Sequence, residues 1–233
     1  MQGGSYSNGT VFELDKTGKE TVLYSFAGGT DGASPFGSLV RDSAGNLYGT
    51  TYYGGASGMG AVFELDNTGH ETVLYSFAGG PDGVYPAAGL VRDAKGNLYG
   101  TTFNGGGRGN EGVVFKVSKV GKETVLYRFA ANRDGANPYL ADLVRDANGN
   151  LYGVTNRGGG TGCGGSGCGV VFKISAPGKE SVLYSFTGGK DGALPLAGLL
   201  RDNAGHLYGT VSGGGDSECG VTGGCGVAFE ITP

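Results

Sequence analysis

The sequence predicts an all-β protein, a four-bladed β-propeller with four antiparallel strands per blade, on three observations. Four short blocks rich in Val, Leu, Tyr, Phe and Thr recur in fixed order, and Gly, Asp, Asn or Pro bounds each of them. No stretch sustains the 3.6-residue period of an amphipathic helix. Glycine accounts for 52 of 233 residues, about 22% against an average near 7%. With 13 Tyr, 11 Phe and 38% hydrophobic residues the chain has material for a core, so the glycine excess belongs to turns between strands and not to disorder.

The repeat is clearest in Val11-Phe12-Glu13-Leu14, Val62-Phe63-Glu64-Leu65, Val114-Phe115-Lys116-Val117, Val171-Phe172-Lys173-Ile174 and Ala228-Phe229-Glu230-Ile231. The phenylalanines are spaced by 51, 52, 57 and 57 residues, and three other blocks keep step. Leu-Val-Arg-Asp or Leu-Leu-Arg-Asp ends at Asp42, Asp93, Asp146 and Asp202, and Leu-Tyr-Gly starts at Leu47, Leu98, Leu151 and Leu207. Glu-Thr-Val-Leu-Tyr-Ser-Phe or a variant starts at Glu20, Glu71, Glu123 and Glu180. In the order a (Leu-Val-Arg-Asp), b (Leu-Tyr-Gly), c (Val-Phe) and d (Thr-Val-Leu-Tyr), a turn-forming Asp sits three residues before a Gly in the a-b joint, as in Asp42-Ser43-Ala44-Gly45, and the c-d joint has the same logic. Two hairpins per repeat make a four-stranded meander. Such a unit buries its faces only by stacking on copies of itself, and radial packing is the usual solution at this repeat length.

The repeat units run approximately over 39–77, 90–129, 143–186 and 197–231, within a single domain of 1–233. Residues 10–26 supply c and d strands expected to complete the last unit and close the ring, removing exposed strand edges. Five c blocks against four of each other kind leave one Val-Phe strand surplus, to sit outside the sheet, add a fifth strand or pair with another molecule.

The run from Gly89 to Thr102, Gly-Leu-Val-Arg-Asp-Ala-Lys-Gly-Asn-Leu-Tyr-Gly-Thr-Thr, followed by a Gly-rich loop, Gly-Val-Val-Phe and Gly-Lys-Glu-Thr-Val-Leu-Tyr, resembles the GloVer tandem repeat over essentially the whole chain. That resemblance implies a bacterial surface or secreted location and brings no catalytic residues. A more distant similarity to the NHL-type propeller unit implies that strand a is innermost.

With 17 Lys+Arg against 21 Asp+Glu the net charge is −4, and no basic cluster offers the phosphate neutralisation that nucleic-acid binding needs. No apolar run approaches the ~18 to 20 residues of a transmembrane helix, and the first twenty residues lack the pattern of a signal peptide. All four cysteines fall in the two longest b-c loops, which suggests one staple per loop, Cys163–Cys168 and Cys219–Cys225, and an oxidising compartment such as the periplasm or cell surface. Four zinc-bound thiolates and free thiols are the alternatives, although spacings of this length are unlike the usual paired zinc motif.

No nucleophile-base pair and no carboxylate pair suited to glycoside hydrolysis stands out, so a non-catalytic protein with no cofactor is expected. His70 and His206 occupy turn positions held by Lys or Asn in the other repeats, where a solvated side chain is the plainer reading. Arg41, Arg92, Arg145 and Arg201 on the inner strand could ring an anion, or else pair with groups between blades. Asp31, Asp82, Asp134 and Asp191 could form an oxygen-ligand calcium site, or simply make Asp-Gly turns. The b-c and d-a loops emerge at one end and carry the variation between repeats. There Tyr52, Tyr53, Phe103, Asn104, Asn156 and Arg157, with Ser212 and Gly213 in the fourth copy, follow the b strands, and Phe36, Tyr85 and Tyr139 enter from the d-a loops. Aromatic rings beside amides and a guanidinium on a rigid frame suit a carbohydrate or a protein, though the same rings could merely cover the blade ends. Two further functions fit: a polysaccharide-acting lyase or hydrolase using Arg157, Tyr53 or the Asp ring, and self-assembly of strand-paired homo-oligomers through the surplus strand.

Overall fold

Every sequence block folds as the pattern requires in a computed structural model that describes residues 3–131, 133–176, 178–216 and 224–233. β1 (Thr10–Leu14) and β2 (Glu20–Ser25) form a two-stranded sheet. The first four-stranded sheet comprises β3 (Val40–Arg41), β4 (Leu47–Thr51), β5 (Ala61–Leu65) and β6 (Glu71–Ser76). The second comprises β7 (Val91–Arg92), β8 (Leu98–Thr102), β9 (Val113–Val117) and β10 (Glu123–Arg128). The third follows with β11 (Val144–Arg145), β12 (Leu151–Thr155), β13 (Val170–Ser175) and β14 (Lys179–Ser185). The fourth contains β15 (Ala193–Pro195), β16 (Leu200–Arg201), β17 (Leu207–Gly213) and β18 (Val227–Ile231). The strands pair antiparallel throughout these sheets, and the first three sheets are meanders in chain order, which is the propeller-like arrangement expected.

Side chains written into the repeat set the turns. Asp93 Oδ1 accepts the backbone N–H groups of Lys95 and Asn97, while Oδ2 accepts from Asn97 and, at 3.0 Å, from the Tyr99 hydroxyl. Partial burial opposes ionisation here, but the bonds from Asn97 and Tyr99 win and hold the Asp93 carboxyl below the usual carboxylate range. Tyr48–Asp42, Tyr152–Asp146 and Tyr208–Asp202 repeat the clamp. A second Tyr–Asp clamp ties each d strand to the loop after it, Tyr24 to Asp31, Tyr75 to Asp82, Tyr127 to Asp134 and Tyr184 to Asp191. Each c-d pair also carries a β-bulge at the same place, between Val11 and Phe12 and at the matching positions of the next three copies, which bends the outer strand.

Packing between sheets repeats as faithfully. Phe26, Phe77, Phe129 and Phe186, one residue past each d strand, meet the c-strand rings Phe63, Phe115, Phe172 and Phe229 of the next sheet edge-on at 5.1 to 5.2 Å. The c-strand ring in turn lies over the glycine paired with it on strand b. A Cβ on Gly153 would stand 2.6 Å from Phe172 Cζ and 2.7 Å from Leu143, so the Leu-Tyr-Gly block has glycine because a ring occupies the place of its side chain. The segments before the inner strands converge: Ser38 donates to Asp142 Oδ2 at 2.5 Å and the Gly89 N–H to Oδ1 at 2.6 Å, tying the first, second and third sheets together at their inner ends.

The closure expected from the sequence is not what the strands do. β18 already occupies the c position beside β17, so the β1–β2 hairpin has no b edge to join and does not complete the unit at 197–231. Among the described residues its two strands pair only with each other, and the hairpin seats Val11, Leu23, Tyr24 and Phe26 on Phe63 and Leu65 of the first sheet. The surplus Val-Phe strand is thus the N-terminal one. The fourth strand of the last sheet is β15, a d-a loop segment paired with the far end of β17.

Half-buried Glu71, Glu123 and Glu180 stand at or next to the start of the d strands of the three complete sheets. Burial, with the nearby charge of Asp31, Asp82 and Asp134 respectively, pushes each up to about 7. A free Glu titrates near 4.3, so the fold prefers these groups protonated and loses stability as pH rises through the interval between about 4.5 and 7. The melting temperature should fall across that interval in the wild type and stay level in the Glu71→Gln, Glu123→Gln, Glu180→Gln triple variant. A wild-type melting temperature that is flat or rising from pH 4.5 to 7 would contradict this. Gly153→Ala should cost about 1 to 3 kcal/mol through overpacking against Phe172, read as a lower urea midpoint at an unchanged slope.

Candidate functional site

One end of the sheets is built by the b-c and d-a loops, and its backbone is fixed more firmly than glycine-rich loops suggest. In each repeat the d-a loop pairs with the extension of strand b, through the bridges Ala33–Tyr53, Val84–Asn104 and Ala136–Arg157 and through β15 on β17. At the heart of each bridge a non-glycine residue directly before proline holds positive φ: Ser34 at 56°, Tyr85 at 60°, Asn137 at 54° and Leu194 at 57°. That conformation is strained for an L residue and persists only where neighbours enforce it. Here two hydrogen bonds do so. The Tyr85 N–H donates to the Met59 carbonyl at 2.9 Å in the loop of one sheet, and its carbonyl accepts from the Phe103 N–H at 3.0 Å in the next. Ser34 and Asn137 make the same two bonds, to Asn8 and Tyr52 and to Glu111 and Asn156, and the Leu194 N–H donates to the Cys168 carbonyl. The backbone is thus locked four times over at positions whose side chains are Ser, Tyr, Asn and Leu.

The aromatic candidates gather into two groups on this face. Tyr52 and Tyr85 stack at 5.0 Å with 13° between their planes; Tyr53 meets both edge-on at 4.7 and 5.6 Å, and Phe36 meets Tyr52 at 5.3 Å. Phe103 and Tyr139 form the second group, 4.8 Å apart. Burial, reinforced by the neighbouring hydroxyls of Tyr53, Tyr139 and Tyr85, raises the Tyr52 phenol above its ordinary value. Tyr53 is 49% exposed and is the open ring of the set. Beside the rings, the Asn137 amide donates to the Phe103 carbonyl at 3.1 Å and to Asn104 Oδ1 at 3.0 Å, fixing Asn104. Arg157 is exposed next to half-buried Glu111, whose carboxyl is raised by burial and pulled back by the Arg157 charge. Asn156 is half-buried and held through its own N–H by the Asn137 carbonyl.

The other sequence candidates lie elsewhere. Arg92, Arg145 and Arg201 reach sideways, each guanidinium lying 5.4 to 5.9 Å from the ring of Tyr48, Tyr99 or Tyr152 in the preceding sheet, and Arg92 also stands 3.7 Å from Asp42. Arg41 is exposed on the first inner strand. These arginines adjoin the a-b hairpins, at the opposite end from the loop face. Asp31, Asp82, Asp134 and Asp191 sit in the Tyr–Asp clamps of the outer strands, each in its own loop, and among the described residues no three His, Cys, Asp or Glu side chains converge to hold a metal ion. Cys163 and Cys168 are disulfide-bonded; Cys219, expected to pair with Cys225, lies outside the described residues. Ser34, Asn137, Leu194 and Glu111 belong to the loop face although nothing singled them out beforehand. The available signal was a residue that changes from copy to copy directly before an unchanging proline.

Comparisons with known proteins place this geometry. A family model described as the Gloeobacter/Verrucomicrobia repeat matches residues 1–223. No curated protein matches in sequence. Among solved structures, a gluconolactonase from Xanthomonas campestris is similar with a TM-score of 0.54 at 16% identity, over 96% of this chain and 69% of that one. A luciferin-regenerating enzyme gives 0.51 at 15% identity, over 84% of this chain and 60% of that one. A protein described as the extracellular domain of a one-component system from B. thetaiotaomicron gives 0.55 at 11% identity, over 87% of this chain and 24% of that one. At these identities the likeness establishes the β-propeller-like fold and nothing about chemistry. No helix among the described residues is long and apolar enough to cross a membrane.

The Cys163–Cys168 bridge closes a short segment of the third b-c loop. On the loop-entropy model its removal in a Cys163→Ser, Cys168→Ser variant should cost about 2 kcal/mol, seen as a lower melting temperature with an unchanged far-ultraviolet spectrum.

Proposed function

We propose that this chain, which belongs to the Gloeobacter/Verrucomicrobia repeat family over residues 1–223, is a non-catalytic binding module of the cell surface or extracellular space that holds carbohydrate on its loop face. The observation that carries the reading is the Tyr52–Tyr53–Tyr85 group, two rings stacked and a third left open, set on a backbone that the pre-proline bridges hold rigid. Rigid aromatic faces lose little entropy on binding and match the apolar faces of pyranose rings, while fixed amides such as Asn104 and an exposed guanidinium such as Arg157 supply directional polar contacts. The disulfide and the extracellular neighbour support an oxidising location. The residues after strand b and before each proline differ from sheet to sheet, which suits one orientation of an asymmetric ligand rather than four equivalent ones.

Binding is expected on a glycan array at neutral pH. Tyr53→Ala should weaken it at least about tenfold, equivalent to 1.4 kcal/mol, without lowering the melting temperature, and Arg157→Ala should weaken only acidic glycans. An array without hits, or unchanged affinity in the Tyr53 variant, would sink the reading. Turnover of aldonolactones or polyanionic glycans by the same preparation would replace it with an enzymatic one.

A further inference from the structure

Apart from the d strand, the two outermost faces of the stack carry the two sides of the joint that recurs inside it. In the interior, the c-strand phenylalanines Phe63, Phe115 and Phe172 are fully buried against the sheet before them. Their N-terminal counterpart Phe12 is 52% exposed, and Leu14, which matches buried Leu65, Val117 and Ile174, is 60% exposed. Leu39 is 39% exposed where Leu90 and Leu143 are buried, because the β1–β2 hairpin offers no a or b strand to cover it. The outward face of the fourth sheet shows the complement. Ala228 and Thr210 are exposed where Val62, Val114, Val171 and Thr50, Thr101, Val154 are buried by the sheet that follows. Leu200 is 69% exposed, and an open groove of about 540 Å³ runs between it, Tyr208 and Glu230.

The polar part of the joint is divided in the same way. Arg92 lies on Tyr48, Arg145 on Tyr99 and Arg201 on Tyr152, each arginine reaching back to the sheet before it. Among the described residues that series pairs neither Arg41 with a tyrosine nor Tyr208, clamped by Asp202, with an arginine. One face therefore presents Phe12, Leu14, Leu39 and Arg41, and the other Leu200, Tyr208, Thr210 and Ala228, which hold the a-, b- and c-strand places of the interior joint, while the d-strand place, filled inside by Phe26, Phe77, Phe129 or Phe186, has no counterpart among the strands of the fourth sheet.

We propose that a second copy of this chain docks head to tail, its fourth-sheet face covering the N-terminal face of the first. The joint is heterologous, so each docked pair keeps one free face of each kind, and further copies can add. The Arg41 guanidinium lies on Tyr208 of the second copy with Asp202 beside it, as Arg92 lies on Tyr48 beside Asp42, and the contact weakens as salt rises.

Sedimentation velocity of the whole chain over a dilution series tests this. The wild type should pass from monomer to dimer and longer species as concentration rises. Phe12→Asp and Leu200→Asp, both at positions already open in the monomer, should each raise the dissociation constant at least tenfold, and Arg41→Glu should do so in low salt. Mixed in equal amounts, Phe12→Asp and Leu200→Asp should form a dimer and stop there, since each retains the face the other has lost. Circular dichroism checks that the variants fold, and Leu14→Glu with Thr210→Arg repeats the mixing experiment should either fail to. A wild type that stays monomeric at every concentration overturns the proposal, whether the two faces meet within one chain or stay bare. So does association that survives both single variants, or a mixture that fails to pair.

Discussion

Stacking of one sheet on the next through a pair of phenylalanines is the interaction on which the molecule depends. Each sheet is too thin to have a core of its own, and its c-strand ring is buried only because glycine on one side makes room and the ring past the previous d strand closes the other side. Remove either partner and the Phe-Phe contact and the fit of the b and c strands fail together, since Gly153 and Phe172 are also opposite one another in the ladder. Core formation and sheet order are thus one event, repeated along the chain with nearest-neighbour character. The hydroxyl–carboxylate clamps, at both ends of the first three sheets and at one end of the hairpin and of the fourth sheet, then fix the turns, so that eight tyrosines serve as structural ties while Tyr52, Tyr53, Tyr85 and Tyr139 serve the loop face.

Most of this architecture is legible in the residues. The Asp and Gly spacing of Asp42 to Gly45 announces a hairpin because one carboxylate can satisfy two backbone N–H groups only in a tight turn, and the structure forms it in that way. The Val-Phe and Leu-Tyr-Gly blocks become paired central strands with the glycine under the ring. What one repeat cannot reveal is competition between copies. Residues 10–14 and 227–231 are equivalent by pattern, and only the local chain connection decides that β18 takes the place beside β17 while the N-terminal copy stays with its own hairpin. Equal sequences therefore end in unequal environments, Phe229 partly buried against the core and Phe12 half in solvent.

The candidate site was legible to a smaller degree. Tyr52, Tyr53 and Tyr85 could be placed on one end by topology, but their mutual stacking depends on the direction of the Tyr85 side chain, which follows from a positive φ that no propensity rule assigns to tyrosine before proline. Asn137 was invisible for the same reason, and with it the bond that steadies Asn104. Arginine and aspartate repeats, conspicuous in the sequence, turned out to reach sideways to neighbouring rings and turns. Groups that recur unchanged hold the frame together, whereas those that differ are displayed.

The residue before each proline acts as a socket. Its main-chain bonds are made by N–H and C=O alone, so the chain path through Ser34, Tyr85, Asn137 and Leu194 is indifferent to what side chain is plugged in. Four interchangeable sockets at fixed bearings mean that surface chemistry can be rewritten one residue at a time without redrawing the scaffold, and the repeat serves as a mounting plate whose fittings diverge while the plate itself stays the same.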